Sequence, residues 1–154
     1  MDLDVDIENE KIKEIEKIKK TYDDKEANFY IYILKNSKED VVKKYSNATS
    51  YSNFFFCQKG PKYAWCSEAE VLIDRGYPKV KDVLDKMFEW LKDLKWPGAE
   101  RIAVFLLSLP KEELHNQYNT AMECAKKNKD LEWEYFLKEI FEKGNYIWWE
   151  KVKW

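Results

Sequence analysis

Apolar positions recur along this chain at the three-to-four spacing of helix faces. Val80, Val83, Leu84, Met87, Phe88 and Leu91 mark one face, which Trp90 and Leu94 widen, and the almost wholly apolar run Ile102 to Leu107 follows. Between them stands Pro97, expected at the first helical position, where its missing N–H has no intrahelical partner in any case. A connection of about two to four residues would set these two helices antiparallel and adjacent. The unbroken apolar run predicts that the second of them is covered on more than one side.

The same reading places a helix at about 8–20, with Ile12, Ile15, Ile18 and Tyr22 as its apolar stripe. Residues 28–35 are ambiguous, since aromatic and β-branched residues favour a strand while the preceding Asp-Asp-Lys-Glu-Ala favours a helix start. A helix is preferred because the next strand-like run, Phe54 to Cys57, lies some twenty residues on; the alternative is a small α+β appendage. Ser37 and Asp40 resemble a capping box and open a short helix through Lys44 or Tyr45. Periodicity is lost from Ser46 to Pro61. Trp65, Ala69, Leu72 and Ile73 mark a helix over 62–75, ended by Gly76 in a left-handed cap with Pro78 beyond. Pro110 opens another, with Glu112 and Glu113 in its first turn and Leu114, Tyr118, Ala121, Met122 and Ala125 on its inner face. Asp130 is expected to cap the last, whose stripe is Trp133, Phe136, Leu137, Ile140 and Phe141 beside Leu131 and Tyr135, closed by Gly144. The expected fold is all-α: stacked antiparallel helix pairs in an irregular, HEAT-like repeat. A single domain of 1–154 is expected, with extension helices and a loop over 1–61, a core over 62–143 and an aromatic tail over 144–154.

At 154 residues, folding can remove roughly two thirds of the chain's surface from water. Aromatics at 16% exceed what a core alone requires, and charged residues at 36% point to a Lys/Glu surface. The net charge of −2 gives no global drive toward nucleic acid, although the first 26 residues hold ten acids against six lysines. Cys57, Cys66 and Cys124 form no C-x-x-C pair in a chain with one histidine, so neither a disulfide framework nor a metal site is expected. They read as buried small hydrophobes. The start Met-Asp-Leu-Asp-Val-Asp lacks the features of a secretory signal and no apolar run exceeds six residues, so a soluble, reduced, cytoplasmic protein is expected.

The segment Trp90-Leu91-x-Asp93-x-x-Trp96-Pro97-x-Ala99, with Leu131-x-Trp133-x-Tyr135-x-Leu137 some thirty residues after it, resembles an uncharacterised bacterial helical domain family. Its signature is an E-W-L-x-D-x-N-W-P-x-A turn followed by a W-K-Y-W-type helix, and residues 64–78 fit the same pattern. The resemblance covers about 62–143. Lys95 stands where that family has asparagine and Glu134 where it has lysine. The resemblance implies HEAT-type helical packing, and it implies a relation to small bacterial immunity proteins that neutralise secreted toxins.

No nucleophile with its base, no phosphate loop and no cofactor cradle is legible, so neither catalysis nor a cofactor is expected. His115 falls on the polar side of its helix and reads as a surface residue. Asp93 is expected to lock the hairpin by reaching the Trp96 indole or the free N–H groups of the next helix. Trp90, Trp96 and Trp133 read as core or groove anchors. Tyr146, Trp148, Trp149 and Trp154 concentrate aromatic area in the tail, either as a closing cap or as a binding hot spot. Glu132 and Glu134 are candidates for an acidic surface that mimics phosphates before a basic partner. These features favour a non-enzymatic interaction protein, specifically an immunity or antitoxin protein. The rivals are a HEAT-like DNA glycosylase, which would need a continuous basic groove, and a general scaffold.

Overall fold

The computed structural model describes residues 2–47 and 51–142, and within them every regular element is helical. Helix α1 (Asp2–Thr21) is followed by α2 (Asp24–Lys35), α3 (Lys38–Tyr45), α4 (Trp65–Arg75), α5 (Leu84–Glu89), α6 (Ala99–Leu107), α7 (Lys111–Lys127) and α8 (Leu131–Leu137). The last passes directly into a wider π turn at Lys138–Glu142. The ambiguous segment 28–35 is helical, as preferred. Side-chain caps explain several starts: Asp23 accepts from the Glu26 N–H at 2.8 Å, Ser37 from Asp40 at 3.2 Å and Asp130 from Trp133 at 3.1 Å.

Helix α1 is longer than the periodicity indicates, and Lys19 and Lys20 in its last turn complement the helix dipole. Of its stripe only Ile18 is fully buried, and Ile12 is exposed. Phe29 and Tyr30 of α2 enter an aromatic cluster with Tyr45, Phe55 and Phe56; the last two come from a 3-10 turn at Asn53–Phe56 within the aperiodic connection. Phe29 lies edge-on to Tyr45 at 4.7 Å and to Phe56 at 4.8 Å. Arg75, in the last turn of α4, fastens this loop by donating to Asn53 Oδ1 at 2.6 Å and Tyr45 O at 3.2 Å, with its guanidinium over the Phe56 ring.

The central hairpin departs from expectation. The segment 81–92 is not one helix: α5 is a six-residue α-helix flanked by 3-10 turns at Lys81–Val83 and Trp90–Lys92. The connection from Lys92 to Ala99 is longer than two to four residues, and Pro97 is not the first residue of α6. It stands second in the turn Trp96-Pro97-Gly98-Ala99, closed by the Ala99 N–H donating to Trp96 O at 3.0 Å, with Gly98 at φ 86° and ψ −11°. That is type II geometry, which favours proline second and requires positive φ third. Pro110 is likewise the residue that precedes α7.

Ile102, Ala103, Val104 and Leu106 of α6 are buried, because α4, α5 and the turn at 90–92 all pack against this helix. Helix α7 packs on α5 and α8. Trp90 and Trp133 are the largest fully buried side chains, and burying each contributes on the order of 2–3 kcal/mol. Each indole is also satisfied: Trp90 donates to Pro97 O at 2.9 Å and Trp133 to Phe88 O at 3.1 Å. No helix is long and apolar enough to cross a membrane among the described residues.

Candidate interaction groove

The signature segment builds the edge of a groove. Asp93 breaks the 3-10 turn with extended backbone, and its Oδ1 accepts the Lys95 N–H at 2.8 Å. It therefore shapes its own turn instead of reaching the Trp96 indole or α6; the indole bond that fixes the connection is the one from Trp90 to Pro97. Gly98 completes the attachment. A β-carbon there would stand 2.8 Å from Ala69 Cβ and 3.3 Å from Trp65 O, so the turn lies directly against α4. Trp65 then meets Trp90 and Trp96 edge-on, with centroids 6.4 and 5.7 Å apart.

Three adjoining depressions run past this turn. The first, of roughly 690 Å³, lies between α3 and α4, where apolar Val42 and Ile73 stand amid mostly charged residues. It shares Lys38, Glu70 and Arg101 with the second, of roughly 460 Å³, whose wall is Leu94 to Trp96. The second shares Leu94, Lys95 and Glu100 with the third, of roughly 400 Å³, which ends on Asp93, Glu132 and Phe136. Arg101 and Glu70 pair across the junction at 2.9 Å. Among the described residues no ion pair neutralises Glu100 or Glu132. The groove thus carries both signs of charge around a half-buried Trp96, with the carboxylates gathered at the α8 end.

Of the residues expected to bind, Glu132 lines this groove. Glu134, two positions on and so on another side of α8, is largely shielded and pairs with Lys138 at 3.3 Å. The two do not form one acidic face. Tyr146, Trp148, Trp149 and Trp154 lie outside the described residues. His115 is exposed, beside Asn119. Cys66 and Cys124 are exposed, contrary to the buried role expected of all three cysteines, while burial pushes the Cys57 thiol up to about 12. Cys66 opens onto the groove at the start of α4. Among the described residues no group of His, Cys, Asp and Glu could hold a metal ion.

The sequence reading passed over Glu68. Its side chain is fully buried; Oε2 accepts the Gln58 N–H at 3.0 Å and Oε1 the Gly60 N–H at 3.2 Å. Desolvation holds this carboxyl well above the ordinary range. The signal was present in the spacing, since Glu68 stands three residues after Trp65 and four before Leu72, on the face that the apolar stripe defines.

No curated protein and no solved structure matches the chain. A family model does, from the first turn of α4 through both tryptophan-bearing segments and into the tail that the resemblance left out. It is described as Domain of unknown function (DUF5071) and matches residues 66–152, more than half of the chain, and the protein belongs to that family.

Proposed function

We propose that this protein is a non-enzymatic protein–protein interaction module, specifically a bacterial immunity or antitoxin protein that binds and neutralises a cognate toxin in the cytoplasm. The observation that carries this reading is the continuous groove along the signature turn, where Leu94, Trp96 and Phe136 offer apolar contact between charges of both signs. Trp96 is well placed as an anchor, because the bond from Trp90 to Pro97 and the close approach of Gly98 to α4 fix its turn before any partner arrives. Carboxylates interleaved with Lys38, Lys95 and Arg101 suit a partner surface of mixed charge with an apolar projection, and they suit a nucleic-acid backbone poorly. The basic residues of a toxin's cleft would meet Asp93, Glu100 and Glu132. The tail aromatics Tyr146, Trp148, Trp149 and Trp154 would extend the contact, and a HEAT-like stacking of the helices would supply the rigid support.

Co-expression with the products of the neighbouring genes, any toxin among them being the expected partner, tests this. Rescue of growth by the wild type, a stable complex on gel filtration, and at least about a thirtyfold loss of affinity for Trp96→Ala are expected, the last corresponding to a hot spot of about 2 kcal/mol. Equal rescue by Trp96→Ala and Glu132→Lys, or no complex with any neighbouring gene product, would count against the proposal.

A further inference from the structure

Helix α1 leaves one of its faces without a partner. It packs chiefly on α2, and Ile18 is the residue of its stripe that is fully buried. Roughly a quarter turn round the helix from Ile18 run Glu8, Ile12, Ile15 and Lys19, spaced by four, three and four residues. That spacing sets all four along one seam, the alternation by which helices pair side by side. Ile12 is 52% exposed, Ile15 is half-buried, and Glu8 and Lys19 are exposed. Among the described residues neither Glu8 nor Lys19 takes part in an ion pair. None of the described residues of α1 lines the three depressions, so this face is separate from the groove and from whatever the groove binds.

The order of side chains along the seam is complementary to its own reverse. Set a second copy antiparallel to the first, with the two-fold axis level with the Lys13–Glu14 peptide. Ile12 then meets Ile15 of the second copy and Glu8 meets its Lys19, and symmetry repeats both contacts. The charges beside the seam keep the same order: Glu10 stands level with Lys17 of the second copy, Lys11 with Glu16 and Lys13 with Glu14. From 8 to 19 no like charges stand level. A parallel pairing would instead set Glu8 against Glu8 and Lys19 against Lys19. Sliding the antiparallel pair by one residue sets Lys13 level with Lys13, or Glu14 with Glu14, according to direction.

We propose that the exposed face of α1 is a self-association surface, on which a second copy of this chain lays its own α1 antiparallel. The isoleucine contacts supply apolar burial that neither copy reaches alone, and the two Glu8–Lys19 contacts fix orientation and register. The seam is short, well below the surface of a lasting interface, so the association is weak and reversible.

Sedimentation equilibrium of the full chain over roughly 10 µM to 1 mM, the range of weak complexes, tests this. The mass should rise from one copy toward two. Glu8→Lys or Lys19→Glu alone turns both end contacts into repulsion and should weaken association at least about tenfold, whereas the two together exchange the charges and should restore it. Ile12→Ser should abolish it. A constant single-copy mass, single reversals that associate as the wild type does, or a double reversal as weak as either single one would overturn the proposal. The wild type gives a second reading that needs no variant to fold: amide resonances from Glu8 to Lys19 should shift with concentration while those of α7 hold. Shifts confined to other segments would overturn it equally.

Discussion

Replacing Gly98 with alanine tests the reasoning that joins the signature turn to the fold. Two costs act at this position. The backbone is at φ 86°, where a β-carbon is disfavoured by about 1–2 kcal/mol. The added methyl would stand 2.8 Å from Ala69 Cβ and 3.3 Å from Trp65 O, and crowding of a packed site costs about 1–3 kcal/mol. Alanine also restricts the unfolded chain, which returns about 0.4–1 kcal/mol. A net loss of about 2–4 kcal/mol is expected. With a slope near 2 kcal/mol per molar urea it would lower the unfolding midpoint by roughly 1–2 M, read by tryptophan fluorescence. A double-mutant cycle with Ala69→Gly separates the two causes, because glycine at 69 opens space without changing the turn's φ. Ala69→Gly alone should cost about 1 kcal/mol in the helix, yet recover part of the loss in the Gly98→Ala background, with a coupling of about 1 kcal/mol. A Gly98→Ala midpoint within about 0.3 M of the wild type would refute the account of the turn, and strict additivity would refute the contact with α4.

Trp133→Phe leaves the Phe88 carbonyl without its indole donor in the core and opens space, so a loss of about 2–3 kcal/mol in urea unfolding is expected; a loss under about 1 kcal/mol would mean that the bond contributes nothing. Native protein treated with an aromatic disulfide reagent should release two equivalents quickly, from Cys66 and Cys124, and the third, from Cys57, only on unfolding. Slow reaction of all three thiols would contradict the exposure of the first two.

Periodicity and capping residues were enough to locate most helices, because both act locally. Ser37 and Asp130 cap where their spacing indicates, and α2 forms despite its strand-like composition once Asp23 satisfies its first turn. The errors fall where longer-range contacts compete with local pattern. A regular stripe over 80–94 reads as one helix, yet packing of Trp90 under the turn tightens the backbone into 3-10 geometry. Proline is permitted both at a helix start and second in a type II turn, and only the approach of Gly98 to α4 selects the second at Pro97.

The sequence by itself indicated an all-helical chain, the side-chain caps at Ser37 and Asp130, and Trp90 and Trp133 as anchors, since these follow from the spacing of apolar side chains and the backbone preferences of short polar residues. Only the tertiary structure decided that Glu132 lies on a groove while Glu134 is tied to Lys138, that two cysteines face outward, and that Glu68 sits in the interior. Exposure, desolvation and charge pairing depend on which distant elements come to lie on a residue, and α3, α4, α6 and α8 meet along the groove from Lys38 to Phe136, about a hundred residues of chain apart.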